Sequence, residues 1–256
     1  MGAEIARPKP PGIGVDGCRG GWVWVAAGRR PAAGFAAHLS EVVGRFRKAR
    51  ILVDMPIGLP SGTNPRRCES LARRLAGPRR ASIFAPPARA ALAVPDYASA
   101  NVANRRETGK GLSRQAWNLV PKIRQVDDLL RQDRPLAARL MESHPEICFR
   151  MLAGKPLCHY KKTAEGRRER LSVLEAHGAG MLPALFKIDL APGSGVAEDD
   201  LVDAAVLAVV AALPDRALGF LPPEPQWDAE GLPMQMVVPL PPAGGLPAEW
   251  GIRRLK

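Results

Sequence analysis

The sequence has no long hydrophobic run. None approaches the roughly eighteen apolar residues of a membrane span, so no membrane partner is expected. The opening Met1-Gly2-Ala3-Glu4-Ile5-Ala6-Arg7-Pro8 lacks the apolar core of a secretory signal. Cysteine is sparse: Cys18, Cys68, Cys148 and Cys158 lie far apart, and no pair has Cys-x-x-Cys spacing. That excludes a zinc site or a thioredoxin-like motif built on cysteine pairs. Reduced thiols of a cytoplasmic protein are the expectation. Gly14-x-x-Gly17 has neither a Walker lysine nor Gly-x-Gly-x-x-Gly spacing, so no phosphate-loop fingerprint is present. Negative charge is in deficit, with 25 acidic residues against 37 Lys and Arg and a net charge of +12. Such an excess suits a polyanion such as nucleic acid. Arginines scattered over solvated faces would give the same total.

The 256 residues, 46% of them hydrophobic, suffice for one large domain with a substantial core. Residues 1–11 are expected to form a flexible arm, and 12–220 the domain. Ile13 to Asp16 reads as a buried strand, Gly17 to Gly21 as a tight turn, and Trp22 to Ala27 as a second strand. Ala33 to Ala37 is a weaker third. Leu39 to Lys48 has helical spacing at Leu39, Val42, Val43 and Phe46. Ile51 to Asp54 is a short buried strand. The chain leaves the sheet at Met55-Pro56, because proline cannot donate to a ladder.

About residues 61–138 read as a largely helical insertion between the fourth and fifth strands. Asn64-Pro65 predicts a helix start and Gly77-Pro78 its end. Arg66, Arg67, Arg73 and Arg74 would then share a face and hold nucleic acid. Ser113 to Arg131 predicts a second helix, with Pro121 arguing for a break or kink. Leu140 to Glu142 reads as a strand and Ile147 to Leu152 as a short helix. Thr163 to His177 reads as a basic helix and Asp200 to Leu213 as the last one. Residues 221–256 are rich in proline, carry one strand-like run from Met234 to Val238, and are expected to pack on the same domain.

Three acidic motifs carry the chemistry. Asp16 and Asp54 each end an apolar run. A carboxylate costs several kcal/mol to desolvate unless paired, so acids at the ends of core strands suggest a shared cation. Parallel pairing of the two strands would bring both to one end of the sheet. An Asp-Gly hairpin turn is the structural alternative for Asp16. Asp200 and Asp203, three apart on a helix, project in neighbouring directions. First-turn acids also complement a helix dipole, but Asp203 lies beyond the cap. Glu142 and Glu146 flank His144-Pro145. Glu142, nearer the strand end, is the preferred fourth acid, with His144 as an alternative general base. A surface turn explains the same residues without chemistry. Lys161 and Lys162 begin a cationic segment, which either grips phosphates or forms a solvated face.

The stretches Gly14-Val15-Asp16-Gly17-Cys18-Arg19-Gly20-Gly21-Trp22, Asp54-Met55-Pro56-Ile57-Gly58-Leu59, Gln115-Ala116-Trp117-Asn118, Glu142-Ser143-His144-Pro145-Glu146 and Asp200-Leu201-Val202-Asp203-Ala204 resemble the family of unknown function numbered 429. That family is described as predicted nucleases of RNase H fold, and the resemblance covers about residues 12–215. It implies an RNase H-like α/β fold with a mixed sheet, flanking helices and acids at adjacent strand ends. Asp16 would take the first-strand acid position and Asp54 the fourth-strand one. Asp200 or Asp203 would be the acid of the last helix, in an Asp-x-x-Asp pattern that looks more like Holliday-junction resolvases than ribonuclease H.

The expected function is magnesium- or manganese-dependent phosphodiester hydrolysis on DNA or RNA. Asp16 would bridge two metals roughly 4 Å apart, Asp54 binding one and Asp203 the other. Asp200 and Glu142 complete the candidate catalytic set. Two other classes remain open. One is a nucleic-acid- or protein-binding module without turnover, and the other is a sugar-kinase-like ATPase.

Overall fold

Alternation of side chains along two strands decides where the acids point. β1 (Gly12–Cys18) and β2 (Gly21–Ala27) form an antiparallel hairpin closed by Arg19-Gly20. Ile13 and Val15 turn to one face of the sheet, so Gly12, Gly14 and Asp16 turn to the other. β4 (Arg50–Val53) runs parallel to β1 with Val15 opposite Val53. Ile51 and Val53 share the Ile13 face, and Leu52 the opposite one. Asp54 follows Leu52 by two and lies on the Asp16 face. Its backbone N–H donates to the Val15 carbonyl at 3.0 Å, which extends the ladder to the acids themselves.

The computed structural model describes residues 11–62, 64–178, 194–241 and 252–254. The expected flexible arm lies, but for Pro11, outside them. β3 (Ala32–Ala36) pairs antiparallel with β2, and β5 (Leu140–Glu142) runs parallel to β4. The order β3-β2-β1-β4-β5 is that of the RNase H-like fold. β7 (Met236–Pro239) continues the sheet parallel to β5, followed by the antiparallel β6 (Leu218–Leu221) and β8 (Arg253–Arg254). The proline-rich C-terminal segment is therefore not laid over a finished sheet. It supplies β7, which sits between β5 and β6.

One face of the sheet carries α1 (Leu39–Arg45) and α4 (Arg114–Gln132), packed on Ile13, Val15, Ile51 and Val53. α4 continues through Pro121, so of the expected break or kink the break is absent. Its start is capped by Ser113, whose Oγ accepts from the Ala116 N–H at 3.1 Å. The insertion between β4 and β5 also contains α2 (Cys68–Ala76) and α3 (Tyr97–Thr108). α2 begins later than Asn64-Pro65 suggested, because Asn64 bridges to Ser61 instead. It ends as expected at Gly77, where φ is 55° and only glycine is unstrained. The opposite face carries α5 (Pro145–Ala153), α6 (Ala164–His177) and α7 (Glu198–Ala212). All four cysteines are free thiols, as expected from their spacing, and only Cys158 is exposed.

α7 lies on β1 with almost no space between backbones. A Cβ on Gly14 would stand 2.0 Å from the Ala204 carbonyl oxygen and 2.3 Å from the Ala208 nitrogen. A Cβ on Gly12 would meet the backbone of Ala208, Ala211 and Ala212. Residue numbers rise along β1 as they fall along α7, so the two run antiparallel. The N-terminal turn of α7 therefore sits at the end of β1 that carries Asp16.

This contact gives a direct stability test. Gly14→Ala is expected to destabilise the fold by about 2–3 kcal/mol through overpacking. Gly44, exposed in α1 with nothing within 4 Å of its added Cβ, should gain up to about 1 kcal/mol on mutation to Ala from helix propensity. Urea denaturation of both variants measures the contrast.

Candidate active site

Asp16, Asp54, Asp200 and Asp203 line one cleft of about 540 Å³ at the C-terminal ends of β1 and β4. The insertion roofs it with Pro78, Arg79, Ser82, Phe84 and Gln115. Asp16 and Asp203 are buried, at 7% and 4% exposure. Burial, with Asp54, Asp203 and Asp200 nearby, raises the Asp16 carboxyl well above the usual aspartate range. Burial also raises Asp54, against the opposing pull of His144 and Lys161. It lifts Asp203 to about 6 despite the Lys161 ammonium. Asp200 is raised by burial as well, and its Oδ2 accepts the Ala197 N–H at 2.9 Å. Asp200 thus serves partly as the cap of α7.

Lys161 is where the cationic segment departs from expectation. Its Nζ donates to Asp203 Oδ2 at 2.6 Å and lies 3.5 Å from Asp199 Oδ2. It is the counter-ion of the acid cluster, not a phosphate grip on an open surface. Burial alone would lower its pKa, but Asp203 and Asp16 outweigh that and raise it. Lys162 is exposed.

Glu142 lines the same cleft, but its carboxylate is already engaged. Leu140 belongs to the α4 face of the sheet and Met141 to the α7 face, so alternation returns Glu142 to the α4 face. There it is bound by Arg66, whose Nη2 donates to both carboxylate oxygens at 2.7 and 2.8 Å, and by the Ile57 N–H at 2.7 Å. Burial raises its pKa to about 7, with Arg66 opposing. Glu146, the weaker candidate in the sequence, is better placed. It starts α5 on the α7 side, lines the same cleft, and raises both Asp54 and Asp203 electrostatically. Its Oε1 accepts from Arg170 at 2.5 Å, whereas its buried Oε2 has no hydrogen-bond partner. His144 also lines the cleft, and its Nδ1 accepts the Glu146 N–H at 3.2 Å.

Arg66 is likewise corrected. It precedes α2 and is buried, so it shares no helix face with Arg73 and Arg74. Besides Glu142 it holds Glu69 at 2.9 Å and the Ile57 and Gly58 carbonyls. Its task is to fasten the 55–59 loop behind Asp54, not to meet nucleic acid. Arg73 is half-buried and donates to the Ile83 carbonyl at 2.8 Å. Arg67 and Arg74 are exposed. Asp228, which sequence reasoning missed, anchors the same loop by accepting the Leu59 N–H at 3.0 Å and an Arg89 ion pair.

As the side chains stand, no group of three or more His, Cys, Asp or Glu among the described residues is arranged to hold a metal ion. The acids share a cleft and one face but are not drawn together on a common point.

Two outcomes follow from these networks. Arg66→Ala leaves Glu142 and Glu69 buried without their cation, and should cost about 3–5 kcal/mol. Arg74→Ala should stay within about 0.5 kcal/mol, and chemical denaturation separates them. The second concerns pH. The folded protein favours neutral Asp203, so this group's contribution to stability is complete below its ordinary value of 3.8 and is lost as pH rises through about 6. Asp203→Asn removes that loss. The stability of Asp203→Asn minus that of the parent should therefore climb by up to about 3 kcal/mol between pH 4 and 7. Melting curves in chelator across that range measure it.

No curated protein and no solved structure matches the chain. A family model described as a protein of unknown function, DUF429, matches residues 14–226, from the first glycine of the Asp16 motif to beyond the Asp203 helix. With that match spanning most of its length, the chain belongs to the DUF429 family.

Proposed function

We propose that this protein hydrolyses phosphodiester bonds of nucleic acid with the help of magnesium or manganese. The observation that carries the proposal is the cleft itself. Carboxylates from β1, the loop after β4, α5 and α7 line it, and burial raises the three aspartates Asp16, Asp54 and Asp203. Buried like charges demand a cation. An all-carboxylate donor set suits a hard divalent ion. The partnerless Glu146 Oε2 is a further oxygen in want of one.

Asp16, Asp54 and Asp203 would hold the metal, with Glu146 replacing Glu142 as the fourth acid. When bound, the metal supplies Lewis-acid stabilisation of phosphoryl oxygens and a more acidic water. The protein contributes the positioning. Arg66 and Asp228 fix the loop behind Asp54. The N-terminus of α7 presents its positive dipole end to the acids. Arg79 and Gln115, on the roof, would orient the substrate strand. Exposed Arg67, Arg74 and Lys162, within a net charge of +12, would add salt-sensitive attraction for a polyanion.

A binding module without turnover is the second reading. The Lys161 ammonium on Asp203 favours it, because an internal cation already answers part of the charge. Asp16→Asn separates the two. The amide keeps the shape but is a poor metal ligand. Manganese-dependent cleavage of DNA and RNA oligonucleotides should fall at least about a hundredfold, with the melting temperature held or raised. Oligonucleotide binding without cleavage in the parent protein, unaltered by the substitution, would support the module.

A further inference from the structure

Lys161 enters the acid cluster from the loop before α6, with its side chain 28% exposed. Its ammonium lowers the pKa of Asp16, Asp54 and Asp200 as well as that of Asp203. This one cation therefore acts on all four aspartates, alongside His144 at Asp54 and Lys162 at Asp200. It reaches Asp203 through Oδ2, the oxygen at 2.6 Å. An ammonium and a divalent ion cannot share that carboxylate comfortably, because they compete for the same lone pairs and repel each other.

A second partner is already within reach. Asp199 Oδ2 stands 3.5 Å from the ammonium. Lys161 and Asp203 line both the main cleft and a neighbouring recess of about 330 Å³, whereas Asp199 lines only the recess. A small rotation of the lysine end would carry its charge from Asp203 to Asp199 and out of the main cleft.

We propose that Lys161 is a built-in competitor for the metal: it holds Asp203 until a divalent cation takes that carboxylate, and then transfers to Asp199. This rests on the reading of Asp16, Asp54 and Asp203 as metal ligands. It accounts for two features together. Asp203 lines the cleft with Asp16 and Asp54, yet its Oδ2 is taken by the lysine. The apposed carboxylates are tolerated because the ammonium offsets part of their repulsion. Metal entry then becomes an exchange of one cation for another, weaker than binding to bare carboxylates.

Calorimetric titration of the full chain with manganese chloride at pH 7.5 tests it without any substrate. Lys161→Met should bind manganese about tenfold more tightly than the parent, since the competing charge is gone. If melting shows that this variant is unfolded, Lys161→Gln takes its place. Asp199→Asn should weaken manganese binding in the parent but change it less than about twofold in the Lys161→Met background. Equal or weaker binding by Lys161→Met overturns the competitor role while leaving the metal site standing. Equal weakening by Asp199→Asn in both backgrounds overturns the transfer, since it would report only the loss of a nearby negative charge. Failure of every protein to bind manganese overturns both this inference and the metal reading beneath it.

Discussion

Helix α7 meets β1 backbone to backbone, with Ala204, Ala208 and Ala211 set against Gly12 and Gly14. That contact fixes the height of the helix over the sheet and, through its antiparallel direction, which end meets Asp16. Asp203 immediately precedes Ala204 in α7. It is held in the lining of the cleft because its neighbour is held against Gly14. A larger residue at either glycine would lift the helix and separate the acids, so core packing and candidate chemistry share one constraint.

The second constraint is electrostatic. Burial raises every aspartate of the cluster, and each further acid raises Asp16 more. Lys161 opposes this from within. The structural acids of the same region are treated differently. Glu142 and Asp228 each receive an arginine and at least one backbone N–H, and they hold loops. Asp16 and Asp54 line the cleft with no arginine ion pair among the described residues, and Glu146 has Arg170 on one oxygen and nothing on the other. The division between the two sets follows the faces of the sheet and the elements around it, not distance along the chain.

Much of this was legible in the sequence. Asp16 and Asp54 stood out because each ends a short apolar run, and the parallel register of β1 and β4 places them side by side as that pattern implied. The face that Glu142 takes is legible locally: in Leu140-Met141-Glu142 the outer two residues must share a face, and Leu140 is buried with Ile13 and Val15. The Arg66–Glu142 pair was beyond reach, since its members are 76 positions apart and nothing local marks either as a partner. β8 has only two residues, and a strand so short gains its identity from the edge it pairs with.

The central claim is that Asp16, Asp54 and Asp203 form one cation site at the junction of β1, β4 and α7. Anomalous diffraction from crystals soaked in manganese chloride addresses it most directly. The account predicts an anomalous peak bonded to all three carboxylates, with Asp203 released from Lys161. A cleft with no peak, and Asp203 still on the lysine at saturating manganese, would contradict it.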